Sequence, residues 1–329
     1  MTMLYNFSTL DLALTALTCV SLPTYTLLVW VLVRQRANPK LSSSFFLLSA
    51  CLGVADVAAT LVRYALHRGP QWGVGVRRFV LPNARWLAVA VSCVDLPLLT
   101  AENVGVLLVA LNRASAIAAP ERYERLWSRP KTWRAVWATV ALSMLAVPVV
   151  TFYAKPFYYS TDNVTAHMAH SRPAELVVGL AALISGCSAL SAVSYVVAIA
   201  HVIRHNWTQR RSRVASEQRQ NYAAELRLAV CGFTFFLAQA LLAWTYVGFA
   251  LRLVDFSTGY DTWLVAMDLF CYVNPYSLLL MSKETRRQFV AAFGIGVCCR
   301  ASAAVVPTSL AMDRPASPTR HRTAVKPST

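Results

Sequence analysis

Charged residues are scarce in this chain. Only 14% of its 329 residues are Asp, Glu, Lys or Arg, whereas 57% are hydrophobic. Soluble domains carry about 25% charged residues, so this composition indicates a membrane protein. The hydrophobic residues gather in seven runs, each long enough for a helix that crosses a hydrocarbon core, which needs about 20 residues. None shows the short alternating pattern of membrane β-strands.

We therefore predict an all-α membrane protein, a bundle of seven transmembrane helices. The predicted spans cover residues 10–33, 41–62, 86–111, 133–154, 174–203, 228–251 and 262–281. No basic segment precedes the first run, so we expect a retained span and not a cleaved signal peptide. Residues 1–9 form the N-terminal segment and residues 10–295 the seven-span domain, which includes a short amphipathic helix after the seventh span. Residues 296–329, rich in Ala, Pro, Ser and Thr, form a disordered tail.

Basic residues are unevenly distributed between the two sides of this topology. With the N-terminus outside, 23 of the 31 Lys and Arg fall on the cytoplasmic side and eight on the outer side. Cytoplasmic loops normally carry the excess of positive charge, so the distribution predicts an outer N-terminus and an inner C-terminus. The first outer loop, 66–85, is locally basic and includes Arg68. The net charge of +16 then faces the anionic inner leaflet and a cytoplasmic partner, and not a nucleic acid.

Cysteine is absent from the predicted outer loops 66–85, 155–173 and 252–261, which excludes a disulfide framework there. Cys298 and Cys299 follow the segment after the seventh span, where cysteines are candidates for palmitoylation; two free thiols are the alternative. Asn6 and Asn163 begin sequons on the outer side and are candidates for glycosylation.

Signatures of catalysis and of metal binding are also missing. The chain has no HExxH motif, and none of its six histidines is predicted to lie deep in a span. We therefore expect no enzymatic activity and no cofactor.

Carboxylates inside the predicted spans are the most informative residues. A carboxylate in hydrocarbon is costly and usually faces the bundle interior. Asp95 and Glu102 are two helical turns apart on one face of the third span. Asp95 is predicted near the outer mouth, while Glu102, Asp56 and Asp268 are predicted near the midplane in one hydrated cluster. A structural role for these acids is the alternative to ligand binding.

Aromatic residues gather at the outer ends of the spans, where they either surround a ligand or form an interfacial belt. The predicted ligand pocket consists of Asp95, Glu102, Tyr153, Trp244 and Trp263. The predicted polar network that would switch between two packings consists of Asp56, Asn112, Arg113, Asp268, Asn274 and Pro275.

Two segments resemble the nematode serpentine chemoreceptors of class gamma and the related class V. They are LNRASAIAAPERYERLW at 111–127 and DLFCYVNPYSLLLMSKETRRQF at 268–289. The resemblance implies a chemosensory G-protein-coupled receptor of the plasma membrane, such as that of the sensory cilium, with a small-molecule ligand and a heterotrimeric G protein as partners. It also implies a G-protein face formed by Arg113, Tyr123, Arg125 and Trp127, with Pro120 ending or bending the helix.

The match to the wider rhodopsin-like pattern is looser. Asn112 replaces the acid that precedes Arg113 in that pattern, and the sixth span has no proline. Arg113 therefore has two interpretations: a cation that only closes the third helix at the leaflet, or a switch residue that polar neighbours hold in one arrangement.

Two functions of other classes compete with the receptor. The intramembrane acids could line the path of an ion channel or transporter, although no inverted repeat is visible. The protein could also be a membrane scaffold without a ligand, which would tolerate replacement of every intramembrane acid by its amide.

Overall fold

The computed structural model describes residues 9–35, 41–76, 80–159, 167–170, 173–209, 216–254 and 256–292. Seven of its helices are long and apolar enough to cross a membrane, which confirms the predicted number. These spans are Thr9–Arg34, Ser44–Gln71, Leu81–Ala118, Arg129–Tyr153, Ala174–Arg204, Ala229–Ala250 and Thr262–Met281.

The helices extend beyond several of the predicted spans because polar residues continue them at their ends. The long α-helices are Thr9–Arg34, Ser44–Val62, Ala84–Ala118, Arg129–Met144, Pro173–Gln209, Ser216–Ala250 and Phe256–Met281. Shorter helical segments are Arg63–Arg68, Gly69–Gln71, Leu81–Asn83, Pro120–Leu126, Ala146–Pro148, Val149–Ala154 and Lys283–Ala292. The last of these is the predicted amphipathic helix. The Ser282 hydroxyl, just before this helix, accepts a hydrogen bond from the Thr285 N–H in its first turn.

The third span lies at the centre of the bundle and packs against the second, fourth, fifth and sixth spans. The fourth span is peripheral: 12% of its most apolar stretch is buried, against 61% for the second span. Large apolar side chains such as Trp30, Trp137 and Leu190 are exposed on the helices. Surfaces of this kind face lipid in membrane proteins.

A two-stranded antiparallel hairpin, Pro156–Tyr159 with His167–His170, follows the fourth span, and its register places Tyr158 opposite Met168. Tyr158 is buried against Leu87 and Val91 of the third span, and its hydroxyl donates to the Leu66 carbonyl. Burial, with a smaller contribution from Asp95, raises the pKa of Tyr158 to about 12. We call this end of the bundle the hairpin end and the opposite end, where Arg113 lies, the Arg113 end.

The chain divides into two units, Met1–Phe289 and Val290–Thr329. The first unit contains all seven spans and the main core. Of the second unit the structure describes Val290–Ala292, the end of the last helix. Phe289 packs against the core of the first unit.

Candidate functional site

The second span carries two arginines into the bundle because its helix changes geometry. Arg63–Arg68 is a π-helix, in which hydrogen bonds join residues five apart, so such residues lie nearly above one another. Arg63 and Arg68 are 7% and 2% exposed. The prediction that placed Arg68 in an outer loop was wrong, because the span continues to Gln71.

Arg68 forms an ion pair with Asp268 of the seventh span. Its Nη2 donates to Asp268 Oδ2 at 2.9 Å, and its guanidinium lies 4.3 Å from the centroid of the Tyr64 ring. The Tyr64 hydroxyl contacts the same carboxylate oxygen at 3.0 Å. Thr18 of the first span donates to the Tyr64 hydroxyl and accepts from that of Tyr272. This group therefore joins the first, second and seventh spans.

Arg63 forms a second ion pair, with Glu102 of the third span. Its Nη2 lies 3.4 Å from Glu102 Oε1 and 2.6 Å from Cys271 Sγ. Asp56, Glu102 and Cys271 each offer a ligand atom, and these atoms lie within 4.8 Å of one another, so they could hold a metal ion. Arg63 already contacts two of the three, and a metal cation beside it would meet like charge at short range. The cation beside Asp56, Glu102 and Cys271 is therefore the guanidinium of Arg63.

Asp56 joins the first, second and seventh spans and is 2% exposed. The Tyr25 hydroxyl donates to Asp56 Oδ2. The Asn274 amide donates to that oxygen at 3.3 Å and also to the Tyr25 hydroxyl. Pro275 lies inside the same helix, and its missing N–H leaves the Cys271 carbonyl without the usual helical bond.

Asp95 lies nearer the hairpin end than Glu102 and faces His67. Asp95 Oδ2 and His67 Nε2 are 3.6 Å apart, with the two side chains 16% and 17% exposed. This distance is too long for a hydrogen bond. His67 belongs to the end of the second span, four residues before Gln71, and not to the predicted outer loop. We call Asp56, Arg63, Arg68, Asp95, Glu102 and Asp268 the charged cluster.

The three aromatic residues of the predicted pocket lie in different surroundings. Trp263 is partly buried against the core and is hydrogen-bonded to Tyr246, which interacts electrostatically with Asp95. Trp244 is 73% exposed and Tyr153 is 40% exposed. The structure therefore brings Trp263 towards the acids and leaves Trp244 and Tyr153 on the surface of the bundle.

Arg113 is 1% exposed and lies five residues before the end of its helix. Its Nε and Nη2 donate to Asn112 Oδ1 at 3.1 and 2.6 Å, and its Nη2 also donates to the Tyr123 hydroxyl at 3.1 Å. The guanidinium lies 4.3 Å from the centroid of the Phe45 ring. This placement disagrees with a cation that only closes the helix at the leaflet.

Ser44 completes this group at the start of the second span. Its hydroxyl accepts from Asn112 Nδ2 at 2.9 Å and lies 2.7 Å from the Tyr123 hydroxyl. We call Ser44, Phe45, Asn112, Arg113 and Tyr123 the Arg113 cluster. The cluster joins the second span, the third span and the short helix that follows it.

The remaining residues of the predicted G-protein face lie just beyond this cluster. The third helix ends at Ala118, and Pro120 begins the short helix Pro120–Leu126. Arg125 is exposed and Trp127 is partly buried, with its indole N–H donating to Ser115 at 2.6 Å.

Sequence reasoning missed Arg63, His67 and Tyr25 as members of the buried network. One signal could have found the arginines: several carboxylates inside the spans require nearby cations, and Arg63 and Arg68 are the basic residues that directly follow the predicted second span. The predicted modification sites Asn6, Asn163, Cys298 and Cys299 lie outside the described residues.

Known structures identify the class of this fold. A crystal structure of squid rhodopsin matches with a TM-score of 0.68, covering 92% of each chain at 13% sequence identity. The seven helices therefore have the arrangement of a rhodopsin-type G-protein-coupled receptor.

Sequence comparison identifies the family. Serpentine receptor class V-1 of Caenorhabditis elegans is 24% identical over 294 residues, which cover 87% of this chain and 91% of the relative. The model of the serpentine-type seven-transmembrane chemoreceptor family Srv matches residues 14–295. The chain belongs to this family of G-protein-coupled chemoreceptors and is a multi-pass membrane protein. The predicted resemblance to class V is confirmed.

Proposed function

We propose that this receptor binds a small molecule in the half of the bundle nearer the hairpin end and activates a heterotrimeric G protein at the Arg113 end. The hairpin end would face outwards, with the N-terminus outside and the C-terminus in the cytoplasm. The family supports a receptor role, and the distribution of basic residues supports the orientation.

The Arg113 cluster carries this proposal. A receptor needs two discrete packings that a ligand can bias. Arg113 is held by specific contacts to Asn112 of its own helix and to Tyr123 of the short helix that follows. Movement of the short helix Pro120–Leu126 would break the Tyr123 contact and free the guanidinium to meet a G protein, with Arg125 and Trp127 beside it.

The charged cluster supports a ligand site in the other half of the bundle. Asp95 and Glu102 are on the third span, which also carries Arg113, so a ligand that displaces this helix acts on both ends. An open ion path is less well supported, because arginines contact the carboxylates of Glu102 and Asp268 directly.

The test is a G-protein activation screen in cells that display the receptor, with odorants and secreted small molecules as the panel. We expect at least one compound to raise GTP exchange on the G protein. Cells that lack G proteins serve as the control: a ligand-dependent current there would replace the receptor proposal by a channel. An antibody to an N-terminal epitope should bind unpermeabilised cells, and one to a C-terminal epitope should not.

The proposal also covers two kinds of covalent modification and the cellular location of the receptor. Cys298 and Cys299 would be palmitoylated beside the last helix, Asn6 and Asn163 would be glycosylated, and a chemosensory receptor would reside in a sensory cilium. A palmitate analogue should label the wild-type chain and not a variant with both cysteines replaced by serine. Equal labelling of the two would contradict the anchor.

A further inference from the structure

We infer that the ligand site takes a small zwitterion of the α-amino-acid type, bound between the second and third spans by Arg63, His67, Asp95 and Glu102. The inference rests on the proposed function, because it names the class of molecule that the same site would bind. It is drawn from buried polar atoms that have no hydrogen-bond partner within the part of the chain that the structure describes.

Four such atoms belong to these residues. Among the described residues, none gives a hydrogen-bond partner to Arg63 Nη1, His67 Nε2, Asp95 Oδ1 or Glu102 Oε2. Arg63 is 7% exposed and Glu102 is 0% exposed. Buried polar groups normally find partners, so four such atoms on two neighbouring spans are positions at which a bound molecule would complete the bonding.

The four residues are arranged as two facing pairs. Arg63 faces Glu102 at 3.4 Å, and His67 faces Asp95 at 3.6 Å. Arg63 and His67 are four residues apart in the π-helix Arg63–Arg68, a little less than one of its turns, and Asp95 and Glu102 lie on one face of the third span. The second span therefore presents nitrogen donors to the third span, and the third span presents carboxylate acceptors in return.

The separation of donors on one span from acceptors on the other determines which chemical groups a ligand needs. A carboxylate would accept from Arg63 Nη1 and His67 Nε2, and an ammonium group would donate to Asp95 Oδ1 and Glu102 Oε2. A simple amine would leave the Arg63 atom without a partner, and a simple acid would leave the two carboxylate oxygens without partners. A ligand with both groups satisfies all four atoms and adds no net charge to the buried site.

Tyr246 and Trp263 provide an apolar surface beside the charged pairs. Tyr246 is 6% exposed, is hydrogen-bonded to Trp263 and interacts electrostatically with Asp95, Arg63 and Glu102. Aromatic rings at this position would contact the side chain of an amino acid, while the charged pairs hold its backbone groups.

The test measures the melting temperature of the purified full-length receptor in detergent with each of the twenty protein amino acids. For every amino acid that stabilises the receptor, the matching decarboxylated amine and deaminated acid are measured too. We expect at least one amino acid to raise the melting temperature by several degrees and its amine and acid to have little effect. Stabilisation by the amine or the acid to the same extent, or by no amino acid, would overturn the inference.

Two variants locate the site. Arg63→Gln combined with Glu102→Gln removes one pair without leaving an unpaired charge, and Asp95→Asn weakens the other pair. Both should raise the apparent Kd of the stabilising amino acid at least ten-fold. Glu284→Gln, on the last helix, is the matched control and should keep the wild-type Kd. Full retention of binding by both site variants would overturn the placement.

G-protein activation by the same amino acid separates this inference from the proposed function. Binding at the four residues without activation would support the zwitterion site and contradict the receptor mechanism. Activation by another class of compound, together with no amino-acid binding, would support the receptor and overturn the zwitterion site.

Discussion

The two ends of the bundle use buried arginine in different ways. Near the hairpin end, the guanidinium of Arg68 contacts a carboxylate of another span directly. At the Arg113 end, the guanidinium of Arg113 contacts an amide oxygen, a phenol hydroxyl and a phenyl ring. Both arginines are at least 98% buried, so the difference lies in the partners and not in access to water.

The partners determine what breaking each contact costs. Removing one member of a buried ion pair leaves an uncompensated charge, whereas an amide or hydroxyl that loses its partner is neutral. The contacts of the charged cluster should therefore hold the helices in place, and those between Arg113 and its neutral neighbours should break more readily. This comparison predicts stability effects at one end and signalling effects at the other.

The largest effect is expected from Arg68→Gln, which leaves the Asp268 carboxylate without its cation. We expect a loss of about 3–5 kcal/mol in stability, because the carboxylate would remain buried and unpaired. Thermal melting of the purified receptor measures this. The double variant Arg68→Gln with Asp268→Asn removes both charges and should recover most of the loss; a double variant as unstable as the single one would contradict the ion-pair explanation.

Arg113→Lys should reach the surface and bind ligand, yet reduce G-protein activation about ten-fold or more. Lysine keeps the positive charge but cannot reproduce the planar multi-donor head that contacts Asn112 and Tyr123. Ligand-stimulated GTP exchange at equal surface level is the measurement, and Arg129→Lys, at an exposed position, is the control. Wild-type activation by Arg113→Lys would remove the switch role.

Tyr123→Phe should raise ligand-free activity about five-fold. It removes the hydroxyl that accepts from Arg113, and a shift of about 1 kcal/mol in the resting state changes a population by that factor. GTP exchange without ligand measures the change. Tyr276→Phe removes a comparable hydroxyl contact, to Ser21 at 2.8 Å, and should leave basal activity near wild type. An equal rise in both variants would indicate a general loosening of the bundle.

The smallest effect is expected from Asn112→Asp, which would place a carboxylate beside Arg113. The new pair should favour the resting arrangement, but burial of the carboxylate offsets part of the attraction, so we expect about 1 kcal/mol or less. Basal and ligand-stimulated activity should both fall by a factor of about two to five. Higher basal activity would show that the carboxylate favours the active packing.

The residues of the site divide into those that local patterns reveal and those that they do not. Asp56, Glu102 and Asp268 were predicted inside the bundle because a carboxylate within a long apolar run is costly in contact with lipid and usually faces the bundle interior. Arg68 was predicted in a loop because the apolar run that defines the second span ends just before Arg63. A π-turn that carries such residues inwards has no local signature in the sequence.

The sequence by itself determined the seven spans, the acids that they enclose and the motifs of the family. These follow from local composition: an apolar run of sufficient length forms a helix in lipid whatever lies beside it. Only the tertiary structure decided which cation meets which acid. Arg68 and Asp268 are 200 residues apart in the chain, and their pairing depends on how the second and seventh spans pack, because a buried carboxylate is stabilised only by a cation that packing brings within a few ångströms.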